Sequence, residues 1–135
     1  MSTTRETTGR RSGDVARHET SSLISSDKVE GTSVYDIQGN DLGTIHSVMI
    51  GKVDGKVAYA VLSFGGFLGI GTNYYPVPWK ALKYDTHMGG YVTGMTKEQF
   101  QGAPSYDPAT DWYSRSAGWP ADVDRYYGRP GMWTH

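Results

Sequence analysis

From Leu23 to about Ala103 apolar residues come in short runs, and turn-forming residues part them about every eight to twelve positions. Leu23-Ile24 opens the pattern, and Ser26-Asp27 begins a short segment that ends at Gly31. Val34-Tyr35-Asp36 reads as a strand, closed by the turn residues Gln38-Gly39-Asn40-Asp41. Leu42 to Ile50 follows, with Leu42, Thr44, His46, Val48 and Ile50 on one face and Ile45 and Met49 on the other. Asp54-Gly55 predicts a two-residue hairpin, because both central residues of that turn need positive φ. The returning strand, Val57 to Phe64, is apolar on both faces, so it should be the most buried, with the core on one side and a cover on the other. Lys80 to Asp85 is a further short strand, and Gly89-Gly90 turns the chain into Tyr91 to Met95. Thr96-Lys97-Glu98-Gln99 has the spacing of a capping box and predicts one short helical turn that stops before Gly102 and Pro104. With no βαβ alternation and no internal repeat, the periodicity predicts a small all-β domain.

The stretch Phe64 to Leu82, FGGFLGIGTNYYPVPWKAL, organises the rest. Gly65, Gly66, Gly69 and Gly71 allow a tight reversal. Pro76 and Pro78 lack backbone donors, which places their strand at an edge and folds Trp79 onto the core. GGFLGIG followed by YPVPW resembles the signature of the PRC-barrel family, and the likeness runs from about Leu23 to Ala103. That family includes the cytoplasmic domain of the photosynthetic reaction centre H subunit and the C-terminal domain of the ribosome maturation factor RimM. The resemblance implies a small antiparallel β-barrel used as a docking module, with no catalytic residues to carry over. The expected organisation is a disordered arm over 1–22, a barrel over 23–104 and an aromatic, irregular tail over 105–135.

Composition narrows the function. The chain has 135 residues and a formal net charge of −1, from 13 basic and 14 acidic side chains, so nucleic acid is not an expected partner. The arm carries Arg5, Arg10, Arg11 and Arg17, diluted by Glu6, Asp14 and Glu19. Cysteine is absent, which removes disulfides, thiolate metal sites and cysteine nucleophiles. No run is long and apolar enough to span a bilayer, and the first residues lack the apolar centre of a secretory signal; the expected location is the cytoplasm.

The end of the chain departs from the rest. Trp112, Trp119 and Trp133 lie there, with Tyr106, Tyr113, Tyr126 and Tyr127, among alternating aspartates and arginines. Asp-Arg-Tyr-Tyr-Gly-Arg-Pro resembles the ending of free-standing bacterial PRC-barrel proteins. Large aromatic side chains with a polar tip anchor interfaces at low entropic cost. Trp112, Tyr113, Trp119, Tyr126, Tyr127 and Trp133 are therefore candidate partner contacts, unless the tail folds back on its own barrel.

Catalytic chemistry finds no support. His18, His46, His87 and His135 share no ligand spacing, so no metal is expected. The glycine-rich run is followed by Tyr74-Tyr75-Pro76-Val77-Pro78 rather than a helix, and so cannot be a phosphate loop. Asp122 and Asp124 sit among polar residues, with nothing apolar to raise a carboxyl pKa. No cofactor is expected. The reading is a non-enzymatic interaction or assembly module that associates with itself, a dimer first, or with another protein. The alternatives are a ribosome- or RNA-associated factor like the RimM C-terminal domain, and a barrel that binds a small ligand.

Overall fold

The computed structural model describes residues 22–64, 73–115 and 118–130. A single helical turn, α1 (Ser26–Val29), precedes the strands β1 (Ser33–Tyr35), β2 (Asp41–Ile50), β3 (Val57–Ser63), β4 (Tyr74–Pro78), β5 (Leu82–Asp85) and β6 (Gly90–Thr93). A 3-10 turn, Trp79–Ala81, joins β4 to β5. Three helices follow, α2 (Lys97–Gln101), α3 (Trp112–Arg115) and α4 (Trp119–Tyr127). The expected arm, apart from Ser22, and the glycines of the 65–71 link fall outside the described residues.

The strands form one sheet in the order β4-β3-β2-β1-β6-β5. Its two edges are consecutive in sequence, and that forces the shape. A flat six-stranded sheet would part its edges by about 24 Å, whereas the four Cα steps from Pro78 to Leu82 reach about 15 Å at most. The sheet therefore rolls into a half-barrel. The expectation of an all-antiparallel barrel needs correction, because β1 and β6 pair in parallel, Val34 beside Tyr91 and Tyr35 beside Val92. The reason is the Pro-Val-Pro-Trp corner. β1 to β4 alternate in direction, but the 3-10 turn carries the chain to the far edge without reversing it, so β5 runs as β4 does and β6 runs as β1 does. As expected of a strand with two prolines, β4 is an edge. Trp79 is half-buried and meets the Tyr91 ring edge-on, with centroids 5.3 Å apart.

β3 carries the core. Ala60, Val61 and Leu62 are fully buried, and consecutive strand residues face opposite ways, so both faces of the strand are covered. β2 departs from the simple alternation. Leu42 and Ile45 are buried, Thr44, His46 and Ile50 are exposed, and Val48 and Met49 are half-buried. Two bulges explain the change of phase. Against β1 the register shifts across Leu42, and against β3 it shifts across His46, each inserting a residue without a partner. Between them, Gly43 lies so close to β3 that an added Cβ would fall 2.4 Å from the Ser63 carbonyl oxygen.

The β2–β3 connection is longer than the expected two residues. The Gly51 N–H donates to the Lys56 carbonyl at 2.9 Å, and the Gly55 N–H to the Gly51 carbonyl at 2.9 Å. The Asp54 carboxylate accepts from the Lys56 N–H at 3.0 Å. Gly55 does take positive φ, at 73°, and nothing lies within 4 Å of where its Cβ would be. Gly55→Val should thus cost backbone strain alone, about 1–2 kcal/mol, read as a lowered midpoint in urea. An unchanged midpoint would show that the turn tolerates another conformation.

The capping box forms as expected. The Thr96 hydroxyl accepts from the Gln99 N–H at 3.1 Å, and the Gln99 side chain accepts from the Thr96 N–H at 2.9 Å. It starts α2 so that Phe100, fully buried, reaches the Phe64 ring at 5.0 Å.

Candidate functional site

Among the described residues, the segment after Pro104 is not irregular but forms α3 and α4. Trp119, Val123 and Tyr127 recur at four-residue steps, the spacing of one helix face, and all three are buried. Pro120 sits in the first turn, where its missing donor costs nothing. Polar residues between these positions hide the pattern in a sequence scan. The helix packs on β4.

Docking begins at Tyr106, which exchanges two backbone hydrogen bonds with Tyr74 of the edge strand, at 2.8 and 2.9 Å. This bridge sets two ring stacks side by side. His46 lies on Tyr74 with centroids 4.3 Å apart, and Tyr106 lies on Trp112 at 4.9 Å and 12°. Trp112 meets Trp119 edge-on at 5.2 Å, and Trp119 meets Tyr59 of β3 at 4.9 Å. The Tyr59 hydroxyl donates to the Asp124 carboxylate at 2.7 Å, and the Tyr126 hydroxyl donates to the Gln99 carbonyl. The cover over the second face of β3 is therefore the chain's own C-terminal segment.

The candidate contacts divide accordingly. Trp112, Trp119 and Tyr127 are buried in the hydrophobic core, and Tyr126 is half-buried against it. Tyr113 is 55% exposed. Trp133 lies outside the described residues. His46 joins them as a site residue that the alternation of β2 concealed. The bulge at His46 turns its ring outward onto Tyr74, and bulges recur where a side chain is re-aimed.

Burial sets the electrostatics. It raises the Tyr127 hydroxyl far above the usual tyrosine value, helped by Tyr126 and Tyr75. Burial and the hydrogen bond to Asp124 raise Tyr59, and burial with the Asp122 charge raises Tyr106. A raised pKa in the folded state favours the protonated phenol there. The resulting stability is complete below the unfolded value of 10.0 and is lost as pH climbs above it. The melting temperature should hence fall steadily above pH 10, and Tyr59→Phe should flatten part of that fall. A melting temperature flat to pH 12 would contradict the packing of these rings.

Between β2, β4 and α3 lies a cleft of about 390 Å³. Val48 and Met49 line it from the strand, together with His46, Tyr74, Trp112 and Tyr113. Ser47 and Thr110 add hydroxyls, and no carboxylate, lysine or arginine lines it among the described residues. The His46 Nδ1 is 3.2 Å from the Ser47 hydroxyl. Farther along the chain, Ile50 at the end of β2 and Val53 in the hairpin are both exposed.

The PRC-barrel domain model matches residues 22–98, which takes in every strand and the start of α2. The chain belongs to the PRC-barrel family. No curated protein matches it. The family match ends before Tyr106, so the backbone bridge between Tyr74 and Tyr106 joins a PRC-barrel strand, β4, to a segment outside the matched region. Among the described residues, no three His, Asp or Glu side chains are grouped to hold a metal ion, and no helix is long and apolar enough to cross a membrane.

Proposed function

We propose that this PRC-barrel protein is a non-enzymatic interaction and assembly module of the cytoplasm that associates with itself, as a dimer. One observation carries the reading. Most of the aromatic side chains that could recruit a partner are committed to the chain's own core, yet Tyr113 remains exposed at a cleft lined by Val48, Met49, Tyr74 and Trp112. An exposed aromatic side chain beside an apolar cleft is a common mark of an interaction surface. Family membership agrees, since a PRC-barrel suits a general role in interaction and assembly. The cleft's polar side chains are the His46 imidazole, the hydroxyls of Ser47 and Thr110 and the phenols of Tyr74 and Tyr113, with no carboxylate to orient the imidazole as a general base.

Sedimentation equilibrium of the full chain tests the proposal. A mass that rises from 14.8 kDa toward twice that value with concentration is the expected result. A constant monomer mass up to about millimolar concentration, the range of the weakest specific complexes, would overturn self-association.

A further inference from the structure

A second cleft, of about 430 Å³, lies where the end of α4 meets the segment after α2. That volume is in the range of small-molecule sites. Asp122, Arg125, Tyr126 and Arg129 line it from α4 and the residues just beyond, and two of these are guanidinium groups. Different contacts hold the two. The Arg129 guanidinium lies over the Tyr126 ring, 4.6 Å from its centroid, and has no carboxylate partner among the described residues. That ring is itself tied to α2, because its hydroxyl donates to the Gln99 carbonyl. Stacking restricts the Arg129 side chain, so less rotamer freedom is lost when its planar fork meets a ligand. Arg125 donates through one nitrogen to Asp122 at 3.0 Å, with its side chain still 72% exposed. So exposed a pair is weak, and an incoming anion can share the guanidinium.

The lining selects the ligand by charge. Arg125 and Arg129 against Asp122 leave one positive charge in excess. The two guanidinium groups repel each other, and an anion bound in the cleft offsets that repulsion. A monoanion matches the excess, whereas a phosphate dianion surpasses it and meets the Asp122 carboxylate as well. The planar fork of an arginine fits the two oxygens of a carboxylate. Gly102, Ala103 and Pro104, the other lining residues, bring no polar side chain, so the remainder of the ligand meets apolar side-chain surface there. From this lining we infer that the cleft at the end of α4 binds a small monocarboxylate with an apolar body, its carboxylate held by Arg125 and Arg129. The site is separate from the β2/β4/α3 cleft and does not depend on self-association.

The experiment titrates the full-length chain with sodium benzoate at constant ionic strength and follows backbone amides in proton–nitrogen correlation spectra. Benzamide, the same ring without the charge, and inorganic phosphate are the comparison ligands. The expected result is saturable movement of the Gly102, Ala103 and Arg129 amides, with a dissociation constant of about a millimolar, as suits so small a ligand. Arg129→Gln should weaken benzoate binding roughly fivefold, the upper range for an exposed ion pair. Asp122→Asn should tighten it, because the carboxylate that competes for Arg125 is gone. Both side chains are exposed, so the two variants should melt within about a degree or two of the wild type, which separates a binding change from misfolding. Amides that do not saturate with benzoate, or that benzamide moves as strongly, overturn the site. Phosphate binding tighter than benzoate overturns the choice of a carboxylate. Benzoate affinity that neither substitution alters places the ligand elsewhere on the chain and overturns the inference too.

Discussion

A chain ending at Pro104 should lose cooperative thermal unfolding, although it keeps every strand of the half-barrel. The truncation removes Trp112, Trp119, Val123 and Tyr127, all part of the one buried cluster. Burying a side chain of this size stabilises by roughly 1.5–3 kcal/mol, against a total of about 5–15 kcal/mol for a small domain. The loss does not stop there. Tyr59 and Tyr74 would face water, and the outer groups of β4 would lose the bridge to Tyr106. Far-UV circular dichroism on heating reads the outcome. A sharp transition within about 5 °C of the full chain would mean that the barrel is self-sufficient and the segment an accessory, given the few degrees that one kcal/mol is worth in a chain of this size.

Trp119→Ala should be the most damaging single replacement in that segment, costing about 3–5 kcal/mol. Trp119 is buried between Tyr59 and Trp112, and it is the first residue of the α4 face. A cavity there has the β3 strand on one side and the Trp112 ring on the other, so it cannot collapse easily. Its indole N–H also holds the Tyr113 carbonyl, which would lose that donor. Tyr113→Ala, six residues before it on the preceding helix, should cost less than about 0.5 kcal/mol, the ordinary range for an exposed position. Chemical denaturation of the two variants side by side decides the matter. Equal losses would mean that the two aromatic residues share one environment, contrary to the burial seen.

The bulges and the hairpin show why parts of the fold stayed hidden. A bulge at His46 depends on where β3 lies, and a strand pattern read alone cannot register a residue that has no partner. The length of the β2–β3 connection was likewise hidden, because Asp54-Gly55 fits both a two-residue turn and the longer turn that forms. The α4 helix buries residues at three positions only, with Asp122, Asp124 and Arg125 between them, so composition spoke for a polar tail. Its four-residue spacing was the available signal. Even with that signal, which chain the aromatic face packs against is a matter of tertiary contacts.

By itself the sequence determined the strand segments, the burial of Val61 and Leu62, the positive φ at Gly55, the Thr96 capping box and the edge position of a strand containing Pro76 and Pro78. These follow from local sterics, donor count and two-residue periodicity, which act within a few residues. Only the tertiary structure decided that β6 returns in parallel beside β1, that Trp112, Trp119 and Tyr127 belong to the core, and that Tyr113 stays outside it. Those outcomes depend on which surfaces distant segments cover. An aromatic residue on a polar helix has the same local physics whether it faces its own barrel, a second copy or water.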